Sequence, residues 1–188
     1  MTRLHTISFI AALLAIGATQ AQADDSQQAS SLHADFEVDP IAYVFSGHSL
    51  HLGLGYRRVR ADLGAFAADT PRFLETSDNF RTSASGFGMK LEFFPFAEQK
   101  GLFVGADANL SRTWIRRRGT PLAVRQTGFS TGLVAGVRIP VIAGLYVAPW
   151  LSVNYTFGTD DIELDGASYD GSGSFGVLPF VHIGYQFL

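Results

Sequence analysis

The stretch Phe175-Gly176-Val177-Leu178-Pro179-Phe180-Val181-His182-Ile183-Gly184-Tyr185-Gln186-Phe187-Leu188 decides how the chain is read. Its odd positions carry Phe, Val, Pro, Val, Ile, Tyr and Phe, and its even positions mix small and polar residues with a few apolar ones. A period of two with one apolar face marks a β-strand lying between an apolar medium and a different one. A strand running so near a chain end needs something to hold it, because the ends of soluble domains fray. A closed barrel supplies that support: its last strand pairs with its first, and no edge is left over.

The same alternation recurs upstream. In His48–Tyr56, Leu50, Leu52, Leu54 and Tyr56 share one face, opposite His51, Gly53 and Gly55. Across the turn at 57–58, Val59, Ala61, Leu63, Ala65 and Ala67 alternate with Arg60, Asp62, Gly64 and Phe66. Segments 85–94, 102–111, 129–139 and 145–157 repeat the pattern. The first strand is expected at 38–45, although Asp39-Pro40 could equally open a short helix there. Short turns at 57–58, 97–101 and 140–144 alternate with longer links at 68–83, 112–125 and 158–173; the link at 46–47 is the exception. Asp165-Gly166 is a two-residue hairpin signal, since both positions tolerate positive φ. The expected fold is therefore all-β, an eight-stranded antiparallel up-and-down transmembrane β-barrel, just wide enough to be filled by side chains. A secreted β-sandwich shares the high apolar and aromatic content, 47% and 13%. It gives no reason for the outward face beyond Phe157 to turn acidic at Asp161 and Glu163, as a strand leaving lipid for water would.

Arg3, the apolar run 7–17 and Ala21-Gln22-Ala23 have the layout of a cleaved signal peptide over 1–23. Residues 24–37 are polar and are expected as a disordered periplasmic lead, followed by the barrel domain over 38–188. After residue 23 no apolar run approaches the length of a spanning helix. The chain has no cysteine, which removes disulfides, thiolate zinc sites and a cysteine nucleophile. A net charge of −3 gives no footprint for nucleic acid. These features place the chain in the outer membrane, reached through the periplasm.

The residues His182, Gly184, Tyr185 and Phe187 follow the order polar, any, Gly, aromatic, any, aromatic. That order looks like the carboxyl-terminal signal read by the bacterial barrel-assembly machinery, which the resemblance implies as a partner. In strand count and layout the whole barrel resembles the small outer-membrane proteins of the OmpA and OmpW type, which usually end on the aromatic residue where this chain adds Leu188. The resemblance implies fold and membrane and says nothing about activity.

Inward parity groups Arg60, Lys90 and Arg138 with Asp62, Glu92 and Asp107, three of each sign. Such charges should pair within a narrow lumen, because an unpaired buried charge is costly. Outward parity places Arg112, Arg116 and Arg125 near Trp114 at the outer end, suited to lipopolysaccharide phosphates or to plain solvation. His182 faces inward with Ser152 and Asn154, which as a set would be hydrolase-like; interior hydrogen bonding is the simpler reading. Pro149 and Pro179 stand mid-strand on neighbouring outward faces. With a two-residue turn at Asp165-Gly166, one extra residue on the last strand would set Trp150 opposite His182 and Pro179 opposite Val153. Such a pair of prolines resembles the lateral-access device of lipid A palmitoyltransferase barrels, whose catalytic motif is not recognisable here. No metal or other cofactor is expected: His48 and His51 face opposite sides, and Ser172 stands where a calcium loop starting at Asp161 needs a carboxylate. The expected role is that of a monomeric barrel with a filled polar interior, structural or surface-interacting, with outer-membrane lipid and lipopolysaccharide as neighbours. The alternatives are a lipid A-modifying enzyme with lateral access near Pro149 and Pro179, and a narrow channel for small or apolar solutes.

Overall fold

The structure, a computed structural model, describes residues 32–75, 77–96, 99–171 and 175–187. Eight strands close into an antiparallel barrel: β1 (Leu32–Val38), β2 (His48–Tyr56), β3 (Val59–Asp69), β4 (Phe80–Phe93), β5 (Gly101–Arg117), β6 (Ala123–Ile142), β7 (Leu145–Phe157) and β10 (Phe175–Gln186). A short helix, α1 (Pro40–Val44), follows β1, and β8 (Ile162–Leu164) with β9 (Ala167–Tyr169) makes a separate two-stranded hairpin. Neighbouring strands pair in chain order, and β10 returns to β1.

The outward rows are apolar and exposed from β1 round to β10: Leu52, Leu63, Phe87, Leu133, Val153 and Val177 are examples. A continuous apolar wall whose polar side chains point inward is stable only with lipid outside, where backbone groups find partners within the protein and not in water. Among the described residues no helix is long and apolar enough to cross a membrane; the crossing is made by strands.

The first strand lies earlier than the sequence reading put it. Leu32–Val38 is strand, overlapping the stretch expected as a disordered lead, and residues 40–44 of the expected strand are helix. Leu32 and Phe36 face outward while Asp35 and Glu37 are buried, so this is a membrane strand whose acids point into the lumen. Its two carboxylates made it look like solvated chain. The helix begins where Asp39 caps it, accepting from the Ile41 N–H at 2.9 Å, with Pro40 at the first position. The proposed signal peptide lies outside the described residues.

Because β1 stops at Val38, it pairs with β10 over only four rows, from Asp35↔Gln186 to Val38↔Ile183. Above that, α1 occupies the wall against β2, β3 and β10. It also covers part of the open edge of β2, where the Tyr43 hydroxyl donates to the Ser49 carbonyl at 3.1 Å; just ahead of β2, the Gly47 N–H donates to the Ala42 carbonyl at 2.9 Å.

At the other end, β4–β6 run on well past the apolar band. The segment read as a long link at 112–125 is mostly ladder, with Arg112↔Thr127, Trp114↔Arg125 and Arg116↔Ala123 paired. The Asp165-Gly166 turn forms as expected, with both residues at positive φ. Its hairpin does not prolong the barrel wall. Ile162, Leu164, Ala167 and Tyr169 pack on Phe80 and Ile115, inward-facing residues at the top of β4 and β5, so the hairpin folds across the mouth.

The register between β7 and β10 corrects the expected slip. Trp150 pairs with Phe180, His182 with Ala148, and Pro179 with Leu151. From Leu164↔Ala167 to Tyr155↔Phe175 there are nine steps back along one side and eight forward along the other. The extra residue therefore lies before the hairpin, between Phe157 and Ile162, where Gly158 takes φ +75°. Over its described ladder, Phe175 to Tyr185, the last strand carries no bulge.

Candidate functional site

The lower lumen, toward the short turns, is crossed by one layer of buried charge. The Arg60 guanidinium grips Asp35 with two hydrogen bonds, at 2.6 and 3.0 Å, and reaches Asp62 at 3.0 Å and Glu92 at 2.9 Å. Arg138 donates to Asp35 at 2.9 Å while lying 3.6 Å from the centre of the Tyr146 ring. The Tyr146 hydroxyl sits 2.9 Å from both Asp35 and Glu37. Lys90 bonds Glu92 at 2.8 Å and lies over the Trp150 ring at 4.4 Å. Two carboxylate–histidine pairs complete the layer, His182 with Glu37 at 2.7 Å and His51 with Asp62 at 2.8 Å, their rings 4.6 Å apart. Arg60 has no exposure at all, which is tolerable only because every face of its guanidinium meets a carboxylate.

Inner-face glycines make room for this layer. A Cβ on Gly53 would collide with Arg60 Nη2 and Asp35 Oδ1. Below the layer, Gln99 donates to the carbonyls of Arg57 and Val59 at 2.7 and 3.0 Å, tying the short-turn end together.

Of the six interior charges expected from parity, Arg60, Asp62, Lys90, Glu92 and Arg138 meet in this layer. Asp107 does not, which corrects the expectation that all six pair. It faces Lys90 across the β4–β5 ladder, yet Lys90 turns down to Glu92 and Trp150. The cations are drawn down by Asp35 and Glu37, the acids of β1. Those two residues and Tyr146 were not singled out from sequence; the alternation Leu32, Ala34, Phe36 against His33, Asp35, Glu37 was the signal available.

The hydrolase-like set is not assembled. His182 Nδ1 is taken by Glu37, while the Ser152 hydroxyl donates to Asp107 at 3.0 Å and receives the Asn154 amide at 3.4 Å. His182 pairs with Ala148 and Ser152 with Leu178, so the two side chains stand four rows apart on the β7–β10 ladder. Among the described residues no group of three His, Asp or Glu is placed to hold a metal ion.

The two prolines do not part β7 from β10, whose ladder runs without a break from Phe175↔Tyr155 to Tyr185↔Leu145. The Gln186 N–H bonds the Gly144 carbonyl and the Phe187 N–H bonds the Ala34 carbonyl. Backbone groups alternate sides along a strand, so even residues of β10 address β7 and odd ones address β1. Pro179 therefore withholds its donor from an edge that β1 never reaches, a position where proline costs no ladder bond. Pro149 faces β6, and there the paired register skips Val137 and Arg138.

On the outer surface, Arg112, Trp114 and Arg116 alternate up β5, with Arg125 paired across from Trp114. The Arg116 and Arg125 guanidinium carbons lie 6.0 and 5.6 Å from the Trp114 ring centre. This is a cationic, aromatic rim above the apolar band. At the opposite end, Gly184 lies against the Tyr146 ring, and Tyr185 points outward beside Phe36 at 6.2 Å between ring centres.

Closed eight-strand topology, a lipid-compatible wall and a packed ionic lumen define a small transmembrane β-barrel. No family model and no curated protein matches the sequence. Several solved structures are similar to it, three of them as follows. One is a major outer membrane protein from Thermus thermophilus, 12% identical with a TM-score of 0.44, covering 85% of this chain and 100% of that one. Another is Neisserial surface protein A, 16% identical with a TM-score of 0.46 and the same coverage. The third is the N-terminal β-barrel domain of Pseudomonas aeruginosa OprF, 14% identical with a TM-score of 0.42, covering 86% of this chain and 100% of that one.

Proposed function

We propose that the chain is a monomeric outer-membrane barrel of a Gram-negative cell, with a structural and surface-interacting role and no conducting path. The observation that supports this most is the lumen at Arg60, where Asp35, Asp62 and Glu92 close on a fully buried guanidinium. In this reading residues 1–23 are the cleaved export signal. His182, Gly184, Tyr185 and Phe187 address the chain to the barrel-assembly machinery.

The test is a planar bilayer. Refolded protein, verified by its heat-dependent shift on a gel, should give no stepwise conductance. Reproducible channels that disappear in a variant with a blocked lumen would overturn the non-conducting role.

Arg112, Arg116 and Arg125 are the surface contact we assign to lipopolysaccharide. Arginine binds phosphate with two parallel hydrogen bonds, and the Trp114 belt sits where acyl chains give way to headgroups. Replacing the three arginines by glutamine should lower the lipopolysaccharide that co-purifies with the barrel. Equal retention by the variant would count against the assignment.

A further inference from the structure

We infer that the outer wall seats one molecule of lipid A in a groove across β2–β5, with a phosphate on Arg112 and one acyl chain over Ala65. The inference rests on the lipopolysaccharide contact assigned above and narrows it to one of the three arginines. Strand register lays two outward rows side by side. His48, Ala67, Ser85, Arg112 and Thr127 pair in turn from β2 to β6, and the row beneath them is Leu50, Ala65, Phe87, Leu110 and Phe129. The upper row is polar apart from Ala67, and the lower row is wholly apolar. The line between them is where the wall passes from headgroups to acyl chains. A cavity of about 280 Å³ opens on that line and reaches from His48 to Arg112 and Thr127, with Ala65, Ser85 and Phe87 between. It exists because Ala65, Ala67 and Ser85 are short while Leu50, Phe87 and Leu110 stand out from the wall.

The polar side chains of the upper row are unspent. Among the described residues, His48, Ser85, Arg112 and Thr127 make no side-chain hydrogen bond or ion pair. The next row up differs: Asp69 pairs with Arg81, Ser83 accepts from Arg116 at 3.4 Å, and Arg125 lies over Trp114. Arg112 thus keeps its whole guanidinium fork for an outside group, and a phosphate fits that fork with two parallel hydrogen bonds. Ser85, its strand partner, brings a hydroxyl to the same phosphate. His48 stands three strands from Arg112, about 14 Å at the usual strand spacing, with only Ala67 and Ser85 between them. A glycerophospholipid offers one phosphate on a flexible stem and no rigid body to bridge two polar ends. A phosphorylated sugar that carries its own acyl chains does. The sugar would lie along the upper row with a hydroxyl on His48, and a chain would drop over Ala65 between Leu50 and Phe87.

The experiment titrates the full barrel in detergent with bisphosphorylated lipid A and counts bound lipid by native mass spectrometry. One lipid A per barrel should bind saturably, whereas lipid A stripped of its phosphates and phosphatidylglycerol should bind far more weakly. Arg112→Gln should weaken binding about tenfold or more, the loss of a charge-assisted hydrogen bond. Ala65→Leu keeps every charge and fills the groove, and should weaken binding as well. A barrel carrying Arg116→Gln and Arg125→Gln should bind as wild type does. If Arg112→Gln and Ala65→Leu both bind like wild type while the triple glutamine variant loses its lipid, the groove is not the seat, and the wider arginine contact stands. If the triple variant also binds like wild type, the wider contact falls too. Equal binding of phosphatidylglycerol or of the stripped lipid overturns the inference without any variant, so a variant that fails its heat-shift test of folding leaves the question decidable.

Discussion

At the scale of single residues, Arg60 carries the greatest consequence. It is wholly buried and bonds three carboxylates from three strands. Arg60→Met keeps much of the volume and strands those acids, and removing one partner of a buried ion pair typically costs about 3–5 kcal/mol. The expected outcome is a large drop in the urea midpoint of the refolded barrel. A midpoint within experimental error of wild type would show that the acids find other partners. Gly53 belongs to the same scale. Gly53→Val would place side-chain atoms where Arg60 and Asp35 meet, and should lower the midpoint without removing any charge. If Gly53→Val unfolds at the wild-type midpoint, the close approach there is not needed.

At the scale of elements, proline separates two kinds of position. Pro149→Ala returns a donor to the β6–β7 ladder opposite Val137 and should stabilise by about 0.5–1.5 kcal/mol, the net worth of one hydrogen bond. Pro179→Ala returns a donor to an edge that β1 does not reach, and should leave the midpoint unchanged. Equal effects from both would mean that the direction assigned to each proline is wrong. For α1, Asp39→Ala removes the cap on Ile41 and should cost about 1 kcal/mol, with faster amide exchange at Ile41 and Ala42.

These elements also mark what was legible beforehand. Parity alone placed the outward rows of β2, β3 and β7, because one apolar face in lipid leaves a strict period of two. It missed β1, since acids that point into a lumen read as solvated chain until their partners Arg60 and Arg138 are known. The lumen charges of β3, β4 and β6 could be named from sequence for the same reason that their partners could not: alternation gives the side of the wall, and only the register gives the neighbour. The β8–β9 hairpin was legible as a turn but not as a roof. Its packing on Phe80 and Ile115 is a contact between distant segments, which no local pattern records.

At the scale of the whole molecule, a barrel is a ring, and a ring fails first at its weakest join. Fourteen rows join β4 to β5 and sixteen join β5 to β6, whereas β1 and β10 share four. That join also closes the longest loop in the chain, so it carries the highest entropic cost for the fewest ladder bonds. The buried charge changes this balance. Asp35 and Glu37 ride on β1 and bond to Arg60 of β3, Arg138 of β6, Tyr146 of β7 and His182 of β10. The ionic layer is thus a latch thrown across the ring from its first strand, holding by side chains a seam that the backbone alone holds poorly. In kinetic terms the ring should close last at β1 and open first there. Asp35→Asn together with Glu37→Gln should then speed opening far more than it slows insertion, a difference that stopped-flow unfolding and vesicle-insertion rates would read directly.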